Sequence, residues 1–158
     1  MNERSSEHDQ RPCVVLLHGL ARSARAMRKL EKNLQQDYLV INQTYPSRKY
    51  PIEQLAKIAI SPAISRCGKL RTINFVTHSL GGILVRQYLR QHPLANLGRT
   101  VMLGPPNQGS ELSDYFAKKR LFNFYNGPSG AQLGTNRTSV PCMLGKVDFD
   151  LGVIAGSR

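Results

Sequence analysis

One stretch constrains this chain more than any other. An apolar run, Thr72 to Val76, passes through Thr77-His78-Ser79-Leu80-Gly81-Gly82 into a segment carrying Ile83, Leu84, Tyr88 and Leu89 at helical spacing. A strand that turns this abruptly into a helix strains the backbone of its corner residue and lifts that side chain clear of the sheet. Residues two before and two after the corner must be small, because strand and helix backbones nearly touch there. Gly81 meets that demand, whereas Thr77 stands where the pattern G-x-S-x-G has its first glycine. The turn also aims N–H groups from the start of the helix at the corner, where they can stabilise negative charge. Ser79 is thereby a candidate nucleophile. The bland alternative is a serine that merely caps the helix after it.

The rest of the chain supplies a matching frame. Cys13 to Leu17 is a continuous apolar run bounded by Pro12 and by His18-Gly19; its length and branched residues predict a strand buried on both faces, as in a parallel sheet. Ser23 is a candidate N-cap, followed by Ala24, Met27, Leu30 and Leu34 at helical spacing with basic residues on the other face. Tyr38 to Ile41 reads as a second strand. Pro46 and Pro51 frame a loop, and Ile52, Leu55, Ala56 and Ala59 begin a helix that Pro62 is expected to kink or interrupt before Gly68. The helix after Ser79 should stop near Pro93. Thr100 to Leu103 is a fourth strand that runs into breaker-rich residues 104–110. Leu112, Tyr115 and Phe116 point to one more helix, Leu121 to Tyr125 form an apolar cluster, and Gly152 to Ala155 reads as a final strand. Alternating strands and helices of these lengths predict an α/β fold with a mostly parallel sheet flanked by helices. The expected division is a flexible N-terminal arm, 1–11, and a single domain, 12–158, since 158 residues suit one domain.

Charge and cysteines exclude more than they identify. The net charge of +12 favours anionic partners in general. Yet the positive residues are scattered, with Arg22, Arg25, Arg28, Lys29 and Lys32 the densest group. No zinc-finger spacing or aromatic nucleic-acid-binding strand accompanies them, so nucleic acid is not the expected partner. No apolar stretch approaches the ~20 residues of a membrane-spanning helix. The first ten residues hold no apolar block, so no signal peptide is visible and a cytoplasmic location is the default. Cys13, Cys67 and Cys142 are an odd number at unrelated spacings; without a secretory signal they are expected to be free and structural.

A second signal precedes the serine. His18-Gly19-Leu20 follows directly on the first apolar strand; in a fold of this kind such a turn points a backbone N–H into an oxyanion hole. Leu20 and Leu80 are the two expected donors, through their main chains. The plain alternative is a strand-ending turn around a buried histidine. Taken together, VVLLHGLARSARAM, NFVTHSLGGILVRQYL and VMLGPPNQGSEL resemble the α/β-hydrolase family, most closely its bacterial lipase and esterase branch. The likeness continues more weakly through LFNFYNGPSGAQLGT to LGVIAG. It implies a serine hydrolase acting on small acyl esters, with Ser79 as nucleophile and no cofactor or metal. His18 and Gly19 would shape the oxyanion loop, and His78 and Gly81 the nucleophile elbow. An aromatic residue near 121–125 would lie over the acyl pocket.

The pattern then departs from the family. Its chain order is Ser, acid, His, but the four histidines here are His8, His18, His78 and His92, and Asp148 and Asp150 precede the last strand. The simplest expectation is a C-terminally truncated hydrolase of reduced or no activity. The competing reading is a non-catalytic binding scaffold that uses the cleft or an exposed sheet edge. A homo-oligomer, or another polypeptide that completes the sheet, is the expected partner at such an edge.

Overall fold

In a computed structural model of the chain, residues 11–106, 127–134 and 139–155 are described. Strand β1 (Cys13–Leu17) is followed by a 3-10 turn (Ala24–Met27) and helix α1 (Arg28–Leu34). Then come β2 (Leu39–Gln43), α2 (Ile52–Cys67), β3 (Ile73–His78), α3 (Leu80–Gln91), β4 (Leu97–Leu103), the short α4 (Val140–Met143) and β5 (Leu151–Ile154). The strands form one sheet in the order β2-β1-β3-β4-β5, parallel throughout.

The continuous apolar run of β1 has the physical basis expected of it. All five of its residues are buried, because period-2 alternation sends successive side chains to two different covers. Cys13, Val15 and Leu17 join the larger core with α2 and α3. Val14 and Leu16 join a smaller one with Met27, flanked by Leu30 and Leu34 of α1. The basic residues of α1 accordingly face outward.

Three expectations need correction. Ser23 starts the 3-10 turn but makes no capping bond with its side chain; the N–H of Ala24 goes instead to Thr44 Oγ1 at 3.1 Å. Helix α2 runs unbroken from Ile52 to Cys67 through Pro62. Pro62 lies on an exposed position, and the surrounding apolar face is buried from Ile52 to Cys67, so packing offsets the lost hydrogen bond. Finally, the cysteines are not all free. Cys13 and Cys67 form a disulfide with Cα atoms 5.6 Å apart, joining the start of β1 to the end of α2, and Cys142 stands outside it.

The strand and helix limits shift by one to three residues from the expected ones. β4 begins earlier, at Leu97, and β5 covers Leu151–Ile154. The helix expected around Leu112, Tyr115 and Phe116 and the apolar cluster Leu121 to Tyr125 lie outside the described residues. No helix among the described residues is long and apolar enough to cross a membrane.

Candidate functional site

Ser79 occupies the corner between β3 and α3 with φ 50° and ψ −116°. Its only counterpart among the described non-glycine residues with positive φ is Ala21, at φ 55°. Such conformations cost an L-residue about 1–3 kcal/mol and persist only where the surroundings impose them. Here both fall on the two turns that meet at the C-terminal ends of β1 and β3. The Ser79 hydroxyl does not cap α3, which removes the bland explanation for a serine at this place.

The close approach that the corner demands is visible in the glycines. A methyl at Gly81 would lie 2.7 Å from the Leu17 carbonyl oxygen and 2.9 Å from Leu17 Cβ. One at Gly19 would lie 3.3 Å from Ser79 Cβ and 2.8 Å from His78 Nδ1. The turn after β1 therefore presses directly on the elbow after β3. Thr77 is fully buried and is accommodated by the next residue along: a methyl at Gly82 would meet Thr77 Oγ1 at 3.2 Å and the Met102 sulfur at 3.0 Å. Gly82 thus supplies the room that a glycine at position 77 would otherwise leave. The Gly81-Gly82 pair was the available sequence signal for this exchange.

His18 is fully buried and stacks on Tyr45, with ring centroids 4.1 Å apart and planes 10° from parallel. Its Nδ1 donates to the Gly19 carbonyl at 2.8 Å, and its Nε2 accepts from the Tyr45 N–H at 3.3 Å. Those two partners fix a single neutral tautomer. Burial, only partly opposed by the bond to the Gly19 carbonyl, holds the imidazole below its ordinary pKa. The Tyr45 hydroxyl donates back to the His18 carbonyl, and burial pushes that phenol well above its usual range. His18 is therefore a structural strut of the turn, with no ring nitrogen left to act as a base.

Other supports had no signal in the sequence. The Ala21 N–H donates to Ser47 Oγ at 3.0 Å, and the buried Ser129 hydroxyl donates to the Ser47 carbonyl. Residues from two distant segments thus hold the turn that carries Leu20. No backbone acceptor among the described residues takes the N–H of Leu20 or of Leu80. Leu80 opens α3, so its N–H is one of the orphan donors at a helix N-terminus.

Of the remaining candidates, His92, Asp148 and Asp150 are not brought to Ser79. His92 ends α3 against the Tyr88 ring at 4.9 Å, about 18 Å along a twelve-residue helix from the corner. Asp150 precedes β5, whose Ile154 is level with Leu103 and so with His78. It lies about 13 Å down the strand direction, and Asp148 lies beyond it. His78 is exposed beside Gly19. Among the described residues none is hydrogen-bonded to the Ser79 hydroxyl. His8 lies outside the described residues.

No family model matches the sequence, and no curated protein matches it. Solved structures do match. A lipase from Bacillus licheniformis, BlEst2 in mature form, is 23% identical with a TM-score of 0.60, over 83% of this chain and 58% of the lipase. The phospholipase PlaB from Legionella pneumophila is 18% identical with a TM-score of 0.68, over 92% of this chain and 39% of that one. An extracellular α/β-hydrolase from a Paenibacillus species is 20% identical with a TM-score of 0.58, over 73% and 53%. The chain spans from about two-fifths to three-fifths of these proteins. At such identities the likeness shows the fold.

Proposed function

We propose that this chain, with its α/β-hydrolase fold, carries the nucleophile half of a serine hydrolase that cleaves carboxylic esters. A fold hosts many chemistries, so the reading stands on the site. The observation that carries it is the Ser79 backbone at φ 50°, imposed where the Gly19 turn abuts the elbow and with the hydroxyl left uncommitted. In this reading Ser79 attacks the ester carbonyl, and the N–H groups of Leu20 and Leu80 stabilise the oxyanion of the tetrahedral intermediate. His18 and Gly19 set the position of Leu20; His78 and Gly81 shape the elbow. The base and its orienting acid belong to groups outside the described residues, or to another polypeptide that extends the sheet beyond β5.

The test pairs an alkyl fluorophosphonate with 4-nitrophenyl butyrate, on this chain and on Ser79→Ala. Expected are a phosphonate adduct at Ser79 and ester turnover that both vanish in the variant. An oxyanion hole alone gives roughly 10³–10⁴-fold over water whether or not the nucleophile is present, so only turnover that is lost in Ser79→Ala supports the reading. Equal rates in both proteins with no adduct would sink it. That result would leave the second reading, a binding scaffold, which is favoured by a Ser79 hydroxyl to which no described residue is hydrogen-bonded.

A further inference from the structure

Beside the turn that carries Leu20, the surface opens into a hollow of about 530 Å³ lined by Ala21, Arg22, Tyr45, Pro46, Ser47, Arg48 and Lys49. Three of these seven residues are cations and none is an acid. We propose that the hollow is a subsite for a negatively charged group, phosphate or carboxylate, on the ester that Ser79 attacks. The inference rests on the function proposed above and narrows its substrate class from carboxylic esters in general to anionic ones.

Placement supports it first. Ala21 is two residues past Gly19, so their Cα atoms are at most about 7 Å apart. Tyr45, in the wall of the hollow, is also the ring stacked on His18. A group in the hollow and a carbonyl at Ser79 can therefore belong to one small molecule. Rigidity supports it second. Ser47 in the floor is tied to Ala21 and Ser129, the Lys49 N–H closes a turn onto the Pro46 carbonyl at 2.9 Å, and Gly127 fits so closely that a methyl there would meet the Arg48 carbonyl oxygen at 1.7 Å. The cations are thus mounted on fixed backbone, and a pre-organised cationic site loses little entropy on binding. Charge supports it third. Arg22 and Lys49 lie on separate segments, and a guanidinium offers the planar donor fork that suits phosphate and carboxylate.

Binding is read by backbone amide shifts on titrating Ser79→Ala with monobutyl phosphate at low and moderate salt. We expect shifts centred on residues 21–22 and 46–49. Affinity should fall roughly tenfold or more in a background that also carries Arg22→Ala and Lys49→Ala. It should stay unchanged with Lys57→Ala and Lys69→Ala, which remove the same charge elsewhere. Equal losses in the two backgrounds, or no shifts around the hollow, would overturn the subsite. Phosphatidylglycerol vesicles, set against phosphatidylcholine ones, separate the sources of the anion. Binding that depends on Arg22 and Lys49 extends the subsite to a lipid headgroup, while butyl phosphate binding alone places the charge on a soluble ester. Turnover of mono-4-nitrophenyl succinate against 4-nitrophenyl butyrate completes the test, with the succinate ester preferred. If neither ester turns over while butyl phosphate still binds, the Ser79 reading fails and the anion site stands.

Discussion

Ser79 and His18 show how single residues carry the strain and the protonation of this site. Glycine adopts φ 50° without the penalty that alanine shares with serine. Ser79→Gly should therefore be more stable than Ser79→Ala by about 1 kcal/mol, read as a higher urea midpoint. A lower midpoint for the glycine variant would show that the elbow is not strained. The His18 prediction concerns pH. Its folded pKa lies below 6.5, so the unfolded chain takes up the proton first. His18 thus contributes full stability above pH 6.5, and that contribution is lost as pH falls toward the folded value. Denaturation midpoints at pH 7.5 and 5.5, beside an imidazole titration by NMR, check it. An imidazole midpoint above 6.5 would contradict the buried tautomer. Ser79, Gly19 and Gly81 were legible because their spacing expresses a local steric need. The occupation of both His18 nitrogens was not, since it depends on Tyr45, 27 residues away.

Among the elements, β1 and β3 declared themselves through composition, because strands covered on both faces must be apolar throughout. Helix α2 did so less well. Its Pro62 looked like a breaker, and its start has no capping side chain nearby; the Ile52 N–H is satisfied by Gln132 Oε1 at 2.7 Å, from 80 residues downstream. The disulfide is illegible for the same reason. Nothing in the spacing of Cys13 and Cys67 says that the end of one element meets the beginning of another. Closing a loop of 54 residues stabilises by about 4 kcal/mol in the chain-entropy account. Structural disulfides belong to oxidising compartments, which removes the ground for a cytoplasmic default. Denatured protein should expose one reactive thiol before reduction and three after it, and reduction should lower the urea midpoint. Three thiols before reduction would refute the pairing.

At the scale of the molecule, β5 is one of the two edges of the sheet among the described residues, and it exposes Val153 by 50% and Ile154 by 62%. An apolar edge offers unpaired backbone groups to another strand. We expect self-association in sedimentation velocity at tens of micromolar, weakened by Ile154→Lys; a monomer at every concentration would count against it. The strand order could not be read from the sequence, but the alternation that implies a parallel sheet could. The Ser79 corner and its neighbouring turn differ in one further respect. The elbow needs only β1, β3, β4 and α3, all contained in the first 103 residues. The turn is anchored through Ser47 to Ser129, 82 residues further along. As the chain leaves the ribosome, the Ser79 corner can therefore form before the turn that carries Leu20 is clamped. On the function proposed above, the site would mature late, complete only once residue 129 has docked against Ser47.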